Sequence, residues 1–307
     1  MAAPVFAQGE RERTEQARAA LQAGEADKAL ALLDKLGGNA EAYNLKCRVE
    51  YALEQWERAA NDCEQAVKLD GQSSDDHLWL GRALGEKASR ASFLNAYSLA
   101  KRVRAEFEEA SRLNPRNVEA LAALGEYYYS APGVVGGGID KAEKVAAQLE
   151  KIDAASSHEL RGHIAEQRKD YGTAEREFKQ AITVSAHPAL QWMTLASFYR
   201  GRERWTEMES AIHNGENAAG RDRHAGVALF NGASLLRSTK RDPARAARML
   251  EEYLDGKDKT EDGPAFVALT WLAELKKELG ESQAASRAQA AALALAHEYK
   301  PARDLKH

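Results

Sequence analysis

The chain has 307 residues, with 43 basic and 47 acidic side chains and a net charge of −4. This balance lacks the basic excess of a dedicated nucleic-acid-binding protein, so no nucleic-acid partner is expected. Two cysteines are too few for a disulfide-framework scaffold or a multi-cysteine zinc site. No stretch approaches the length of apolar sequence that a membrane-spanning helix needs, so no membrane insertion is expected. Alanine is abundant whereas Val, Ile and Thr are sparse, which predicts an all-α protein.

Two interpretations of the first nine residues remain open. Val5 and Ala7 occupy the minus-three and minus-one positions of a signal-peptide cleavage site before Gln8, although the basic and long apolar regions that precede such a site are missing. Residues 1–9 are therefore interpreted either as a signal-peptide remnant or as a disordered N-terminus. The ending Val5-Phe6-Ala7 favours a periplasmic or exported location, and a cytoplasmic location is the alternative.

A pattern of large and small side chains recurs from residue 10 to the C-terminus. A large residue directly followed by a small one appears in Leu80-Gly81, Leu124-Gly125, Leu195-Ala196 and Leu272-Ala273. A second small position recurs at Ala29, Ala59, Ala142, Ala174, Met208, Ala246 and Ala285, with a degenerate copy at Val103. Two antiparallel helices per unit explain this pattern, because small residues allow close approach and large ones fill the space to the next pair.

These residues resemble the tetratricopeptide repeat (TPR), a helix-turn-helix unit of about 34 residues. The likeness covers nearly the whole chain in about eight copies, and the repeat-ending proline appears once, in Leu113-Asn114-Pro115. It implies a right-handed superhelical solenoid of antiparallel helix pairs, and residues 10–307 are expected to form one such solenoid. Residues 74–153 also resemble bacterial exported TPR proteins of unassigned function and, more faintly, the regulator of microtubule dynamics family. Neither likeness supplies a chemistry.

The first interruption of the repeat lies near residues 85–104, which exceed the repeat length by about ten residues. Helical spacing predicts that Ala88 to Arg104 extends the N-terminus of a second helix. The extension is expected to project by about 15 Å. An exposed apolar patch is expected near Phe93, Leu94 and Tyr97, where another chain of an assembly would dock.

The second interruption is the glycine-rich segment 131–138. Backbone N–H groups of Gly136–Gly138 before a helix could hold an anion. The alternative is an inserted turn whose glycines permit positive φ. No strand precedes the glycines and no Gly-Lys-Ser/Thr follows them, so the sequence lacks a nucleotide-binding fingerprint.

The sequence favours a protein without catalytic activity, cofactor or metal. The eight histidines are scattered, and His158 and His163 are not spaced to share one helical face as metal ligands. No Gly-x-Ser-x-Gly motif occurs, and neither cysteine has the local motif of a nucleophile.

Two further residue types receive structural interpretations. Cys47 and Cys63 fall on opposite helices of one repeat, so they are expected within bonding reach. A disulfide is permitted if the protein is exported, and two small buried thiols are the alternative. The five tryptophans are interpreted as core residues that pack between helices.

The TPR resemblance also implies where a partner would bind, because ligands of that family lie along the concave face formed by the first helices. Transferring the repeat phase gives the candidate partner-binding residues Tyr51, Arg82, Glu86, Glu126, Tyr129, His163, Glu166, Arg200 and Asn231. Their aromatic faces, arginine forks and carboxylates suit a protein or an extended peptide.

The leading hypothesis is therefore a non-catalytic protein- or peptide-binding scaffold. One alternative is a structural subunit of a multiprotein assembly. The other is a small-ligand or anion receptor that uses the Gly136–Gly138 loop.

Overall fold

The computed structural model describes residues 5–222, 225–257 and 259–306. All regular elements of these residues are helical, which confirms the all-α prediction. The α-helices are α1 Val5–Gln22, α2 Ala26–Leu33, α3 Ala40–Ala52, α4 Trp56–Leu69, α5 Ser74–Arg90, α6 Phe93–Leu113, α7 Val118–Ser130, α8 Ile139–Leu149, α9 Ala154–Gln167, α10 Tyr171–Val184, α11 Ala189–Gly201, α12 Trp205–Ala219, α13 Gly226–Ser238, α14 Pro243–Asp255, α15 Ala265–Glu278, α16 Ser282–Leu295 and α17 Lys300–Asp304. A 3₁₀ turn spans Gly133–Val135 between α7 and α8.

The structure describes only part of the N-terminal segment 1–9. Residues 1–4 lie outside the described residues, whereas residues 5–9 lie in α1. None of the described helices has the length and apolar character needed to span a membrane.

Helices α1 to α16 form eight consecutive pairs, and the short turns within each pair make its helices antiparallel. In seven second helices the predicted small position is the fourth residue, and it is 0% exposed in every case: Ala29, Ala59, Ala142, Ala174, Met208, Ala246 and Ala285. Because this position is fully enclosed, a larger side chain would push the paired helices apart. The predicted antiparallel helix pairing is confirmed.

The turns within five of these pairs share one backbone feature. Gly24, Glu54, Lys169, Glu203 and Gly280 have φ between 56° and 80°, and each lies two residues before the second helix of its pair. A left-handed conformation costs a non-glycine residue about 1 kcal/mol. The chain accepts this cost three times, which indicates that the helix pairing imposes the same turn geometry on different sequences.

The first interruption of the repeat is shared between two helices, which corrects the prediction for Ala88 to Arg104. Helix α5 continues through Arg90, Ala91 adopts extended backbone, and α6 begins at Phe93. The first three residues of the predicted extension therefore lengthen the first helix of the pair. Val103 becomes the eleventh residue of α6, about two helical turns later than the fourth-position residues of the other second helices.

The two interruptions of the repeat pack on each other. The hydroxyl oxygen of buried Tyr127 lies 2.9 Å from the carbonyl oxygens of both Ala100 and Val135. The guanidinium of Arg104 lies 3.5 Å from the same Val135 carbonyl. Because Ala100 belongs to the lengthened α6 and Val135 to the glycine-rich segment, one tyrosine ties both insertions to α7.

Two compact units make up the chain, and we call them unit 1 and unit 2. Unit 1 comprises the described parts of Met1–Gly37, Ala52–Glu54 and His187–His307, and unit 2 comprises Gly38–Tyr51 and Gln55–Ala186. The expectation of one continuous solenoid over residues 10–307 stays a prediction.

Unit 1 brings the two ends of the chain together. Helix α2 contacts α16, and Asp27 Oδ1 lies 2.9 Å from His297 Nδ1. A Cβ atom on Gly24 would overlap the backbone nitrogen of Ala265. Unit 1 therefore contains contacts between helices that lie far apart in the sequence.

The prediction that all five tryptophans are core residues is wrong for four of them. Trp79 is buried at 7% exposure, whereas the half-buried ones are Trp56, Trp192, Trp205 and Trp271. Guanidinium groups lie 4.5 to 5.3 Å from three of these rings, in the pairs Arg90–Trp56, Arg241–Trp205 and Arg237–Trp271. Arginine guanidinium groups therefore cover part of these three rings, and the Trp271 ring also stacks on Phe230 at a centroid distance of 4.4 Å.

Cys47 of α3 and Cys63 of α4 form a disulfide, with their Cα atoms 5.3 Å apart. Both are 0% exposed. The prediction that they lie within bonding reach is confirmed, and the bridge joins the two helices of one pair.

We expect removal of this bridge to lower the free energy of unfolding by about 3 kcal/mol, because it closes a short loop in the unfolded chain. The measurement is urea unfolding of the oxidised protein and of the Cys47→Ala, Cys63→Ala double variant. Dithiothreitol should destabilise the wild type and leave the double variant unchanged. Equal stability of oxidised and reduced wild type would contradict the bridge.

A second buried feature of the same helix pair is the carboxyl group of Glu50. Burial raises the pKa of Glu50 from its ordinary value of 4.5 to about 8, and the Asp62 carboxylate opposite it contributes further. Since folding raises this pKa, the group stabilises the folded state most at pH values below 4.5. This contribution is lost as the pH rises from 4.5 towards about 8.

We therefore expect the wild type to lose stability between about pH 5 and about pH 8, and Glu50→Gln to flatten this dependence. The variant should be more stable than the wild type at the higher pH, because its amide stays neutral. Thermal unfolding across this range measures both effects. Glu143→Gln is the control, because that carboxylate is exposed and paired with Arg168. Parallel pH profiles for Glu50→Gln and the wild type would disprove the assignment.

Candidate partner-binding groove

Three first helices of unit 2, α5, α7 and α9, line a groove of about 940 Å³. Helix α7 contacts both of the others. Within each helix most lining residues have another lining residue three or four positions away, as expected for one helical face. On α5 they are Gly81, Arg82, Gly85, Glu86 and Ser89, on α7 Glu119, Ala122, Ala123, Glu126, Tyr127, Tyr129 and Ser130, and on α9 Ser156, Glu159, Leu160 and His163.

The structure brings six of the nine candidate residues together in this groove: Tyr51, Arg82, Glu86, Glu126, Tyr129 and His163. Glu166 lies beside it, with Oε2 3.1 Å from Nδ1 of His163. Arg200 and Asn231 belong to α11 and α13 of unit 1 and do not line the groove. That these residues bind a partner stays a prediction.

Sequence reasoning missed other lining residues, notably Gly85, Glu119 and Glu159. A signal for two of them was present in the spacing. Glu119 lies two turns before Glu126 on α7, and Glu159 lies one turn before His163 on α9, so both share the face of a candidate residue. Gly85 carries no side-chain signal, and only the packing around it shows that it faces open space.

Missing side chains keep the groove open. A Cβ atom on Gly85 would meet no heavy atom within 4 Å, and Ala122 and Ala123 extend the small-residue floor onto α7. One turn earlier, a Cβ atom on Gly81 would overlap the ring of Phe107. The two glycines of α5 therefore have opposite roles, because Gly81 permits helix contact and Gly85 leaves space.

Aromatic side chains of the groove are held by other rings. The Tyr129 ring stacks on His163 with centroids 5.6 Å apart. Tyr51 packs edge-on against Trp56 and Trp79, at centroid distances of 5.1 and 5.5 Å. Such packing fixes ring orientation, so these surfaces are arranged before any ligand arrives.

The groove is acidic. Four carboxylates line it, those of Glu86, Glu119, Glu126 and Glu159, against the single guanidinium of Arg82. Burial, then the Glu86 and Glu126 carboxylates, raise the pKa of Tyr51 to about 12. Burial followed by the carboxylates of Glu126, Glu166 and Glu159 also raises the pKa of Tyr129. Both tyrosines therefore stay protonated near neutral pH and can donate a hydrogen bond.

The histidines of unit 2 are engaged in pairs. His77 Nδ1 lies 2.6 Å from Glu106 and His158 Nδ1 lies 2.7 Å from Glu177. The hydrogen bond to Glu106 raises the pKa of His77. Within the described ranges, no group of three or more His, Cys, Asp or Glu side chains has an arrangement that could hold a metal ion.

The Gly136–Gly138 loop does not present the free N–H groups that the anion-receptor hypothesis requires. The amide groups of Gly136, Gly137 and Gly138 donate to the carbonyls of Gly133, Pro132 and Tyr128, at 2.9, 3.2 and 2.8 Å. Gly136 has φ 96°, and a Cβ atom there would overlap the Arg104 guanidinium. The geometry fits the alternative interpretation, an inserted turn that needs glycine for its backbone conformation.

We expect opposite effects on stability from adding a methyl group at the two glycines of α5. Gly85→Ala should stabilise the fold by up to about 1 kcal/mol, because alanine favours an α-helix and the space is open. Gly81→Ala should destabilise it by about 1–3 kcal/mol, because the methyl group displaces the Phe107 ring. Urea unfolding of both variants checks the pair. Effects of the same sign would disprove the assigned faces.

Comparisons with known proteins address the fold. The sequence matches no protein-family model and no curated protein. A thermophilic TPR protein of Thermus thermophilus is similar in structure over 62% of this chain and 98% of its own, with a TM-score of 0.51 and 16% identity. A TPR protein from Parabacteroides merdae covers 88% of this chain and 99% of its own at 12% identity and a TM-score of 0.47. The Thermus likeness, together with the helix pairs, shows that the chain has the TPR fold.

Proposed function

We propose that the chain is a non-catalytic scaffold that binds an extended segment of another protein in the groove of α5, α7 and α9. Repeat folds of this kind present extended surfaces on which protein segments lie. The observation that carries the proposal is the shape of the groove, which crosses three helices and stays open at Gly85. An enzyme would instead need titratable groups that converge in a closed pocket.

The dimensions of the groove suit a peptide. Packed helices lie about 8–10 Å apart, so three adjacent helices span about 20 Å. An extended chain rises about 3.3 Å per residue, and the groove therefore accommodates about six residues. The hydroxyl groups of Ser130 and Ser156 lie among the lining residues, where they can satisfy the polar groups of a peptide backbone.

Selection from a random peptide library tests this proposal. The full chain is immobilised, and peptides of about twelve residues, twice the length that the groove spans, are selected by display. We expect Gly85→Met to lower the affinity for the selected peptides at least about tenfold, because the methionine side chain enters the groove. The fold should be unaffected, because a Cβ atom at this position meets no neighbour.

Gly133→Met is the matched control for the groove-filling variant. Gly133 is exposed, a Cβ atom there also meets no heavy atom within 4 Å, and the residue does not line the groove. It should leave peptide affinity unchanged. Failure to select any peptide, or equal affinity for Gly85→Met and the wild type, would remove the groove as the binding site.

A second candidate function is that of a structural subunit, and the tip of the α5–α6 pair favours it. Phe93 and Leu94 are 86% and 80% exposed at the start of α6. Adjacent large apolar residues at this exposure are typical of a docking surface. If copies of the chain assemble through the tip, light scattering should show a concentration-dependent oligomer that Phe93→Ser with Leu94→Ser abolishes. A monomer at all concentrations would exclude self-assembly.

Export from the cytosol is a separate proposal, and the buried Cys47–Cys63 bridge supports it. Disulfides form and persist in oxidising compartments and are rare in the cytosol. Alkylation of free thiols in the protein isolated from its native cells, followed by mass spectrometry, tests the proposal. Fully alkylated cysteines would count against export.

A further inference from the structure

We infer that the groove selects a segment that carries lysine or arginine, whose cationic group packs on Tyr51 and Tyr129 beside the Glu126 carboxylate. This inference rests on the proposed function, because it names the chemistry of the segment that the groove binds. It is carried by a repeated arrangement of carboxylates, aromatic rings and arginine in the groove and beside it.

Arginines of the chain itself already occupy two such positions. Arg82 Nη2 lies 3.0 Å from Glu119 Oε2, and its guanidinium lies 4.6 Å from the centroid of the Trp79 ring. Arg90 Nη1 lies 2.5 Å from Glu86 Oε2, with its guanidinium 4.7 Å from the Trp56 ring. In both cases a guanidinium group is held between one carboxylate and one aromatic face, an arrangement that combines ion pairing with a cation–π contact.

A third carboxylate-and-aromatic set, Glu126 with Tyr51 and Tyr129, lines the groove itself. The Glu126 carboxylate is exposed and lines the cavity together with Tyr51 and Tyr129. Within the described part of the chain, Glu126 forms no ion pair. The position therefore has a carboxylate and aromatic rings like the two occupied sites, although His163 covers one face of Tyr129, and a partner can bring the cation.

Charge complementarity also argues against an acidic segment. Arg82 is the only guanidinium among the lining residues, and it is already paired with Glu119. An aspartate, a glutamate or a C-terminal carboxylate would instead face Glu86, Glu126 and Glu159. Juxtaposed like charges weaken binding, so an acidic segment would be rejected.

A polymer fits the groove better than a small polyamine. The cavity of about 940 Å³ extends over three helices, and its floor of Gly85, Ala122 and Ala123 leaves room for a continuous main chain. Spermine fills only part of this volume. We therefore expect peptide affinity to exceed spermine affinity.

The test uses peptides selected from the random library and their Lys→Gln or Arg→Gln versions. Lysine or arginine should be enriched at one position, and replacing that residue by glutamine should weaken binding at least about tenfold. Glu126→Gln should weaken the cationic peptide by a similar factor and have little effect on the glutamine peptide. Glu143→Gln on α8 of the same helix pair is the matched control and should leave both affinities unchanged. Fluorescence anisotropy measures these four combinations.

The outcomes separate the inference from the proposed function. If peptides bind in a Gly85→Met-sensitive manner but show no enrichment of lysine or arginine, the groove is a peptide site and the inference is overturned. Equal affinity of Glu126→Gln and the wild type for the cationic peptide also overturns it. If no peptide binds at all, the proposed function itself fails. If spermine displaces the peptide at equal or lower concentration, the site is one for small cations.

Discussion

The close approach of the two helices within each pair is the constraint on which the rest of the structure depends. In seven pairs it is set by one fully buried position, the fourth residue of the second helix. Alanine occupies most of these positions because a larger side chain would separate the backbones. The residue two before the second helix accepts a left-handed conformation for the same reason, even at Lys169 and Glu203.

The groove is a consequence of this pairing. Once each second helix is held against its first helix, α5, α7 and α9 lie side by side and expose one face each. Two glycines of α5 differ in what lies beside them. Gly81 is in contact with the Phe107 ring, whereas Gly85 borders open space. Helix contact and ligand access are therefore provided by residues a single turn apart on α5.

Polar side chains are likewise either buried between helices or exposed at the groove. Carboxylates and arginines of the groove either pair with one another or face solvent, as Glu126 does. The Glu50 carboxyl group, by contrast, is buried near Asp62, and burial raises its pKa to about 8. Aromatic contacts fix the orientation of polar side chains in the groove, as the stack of Tyr129 on His163 does for the tyrosine hydroxyl group and the imidazole.

The sequence by itself determined the helix pairing, because the spacing of small and large residues that pairs two helices is contained within a single repeat. The same periodicity put six candidate residues on the faces that line the groove, although it could not reveal the open space at Gly85. Only the tertiary structure decided that α5 ends at Arg90, that the Gly136–Gly138 amides are already bonded, and that Asp27 meets His297. The Asp27–His297 contact joins segments far apart in the sequence, which a repeat pattern does not predict. The end of α5 and the bonding of the glycine amides depend on whether the local backbone forms a helix or a turn, which composition alone does not determine.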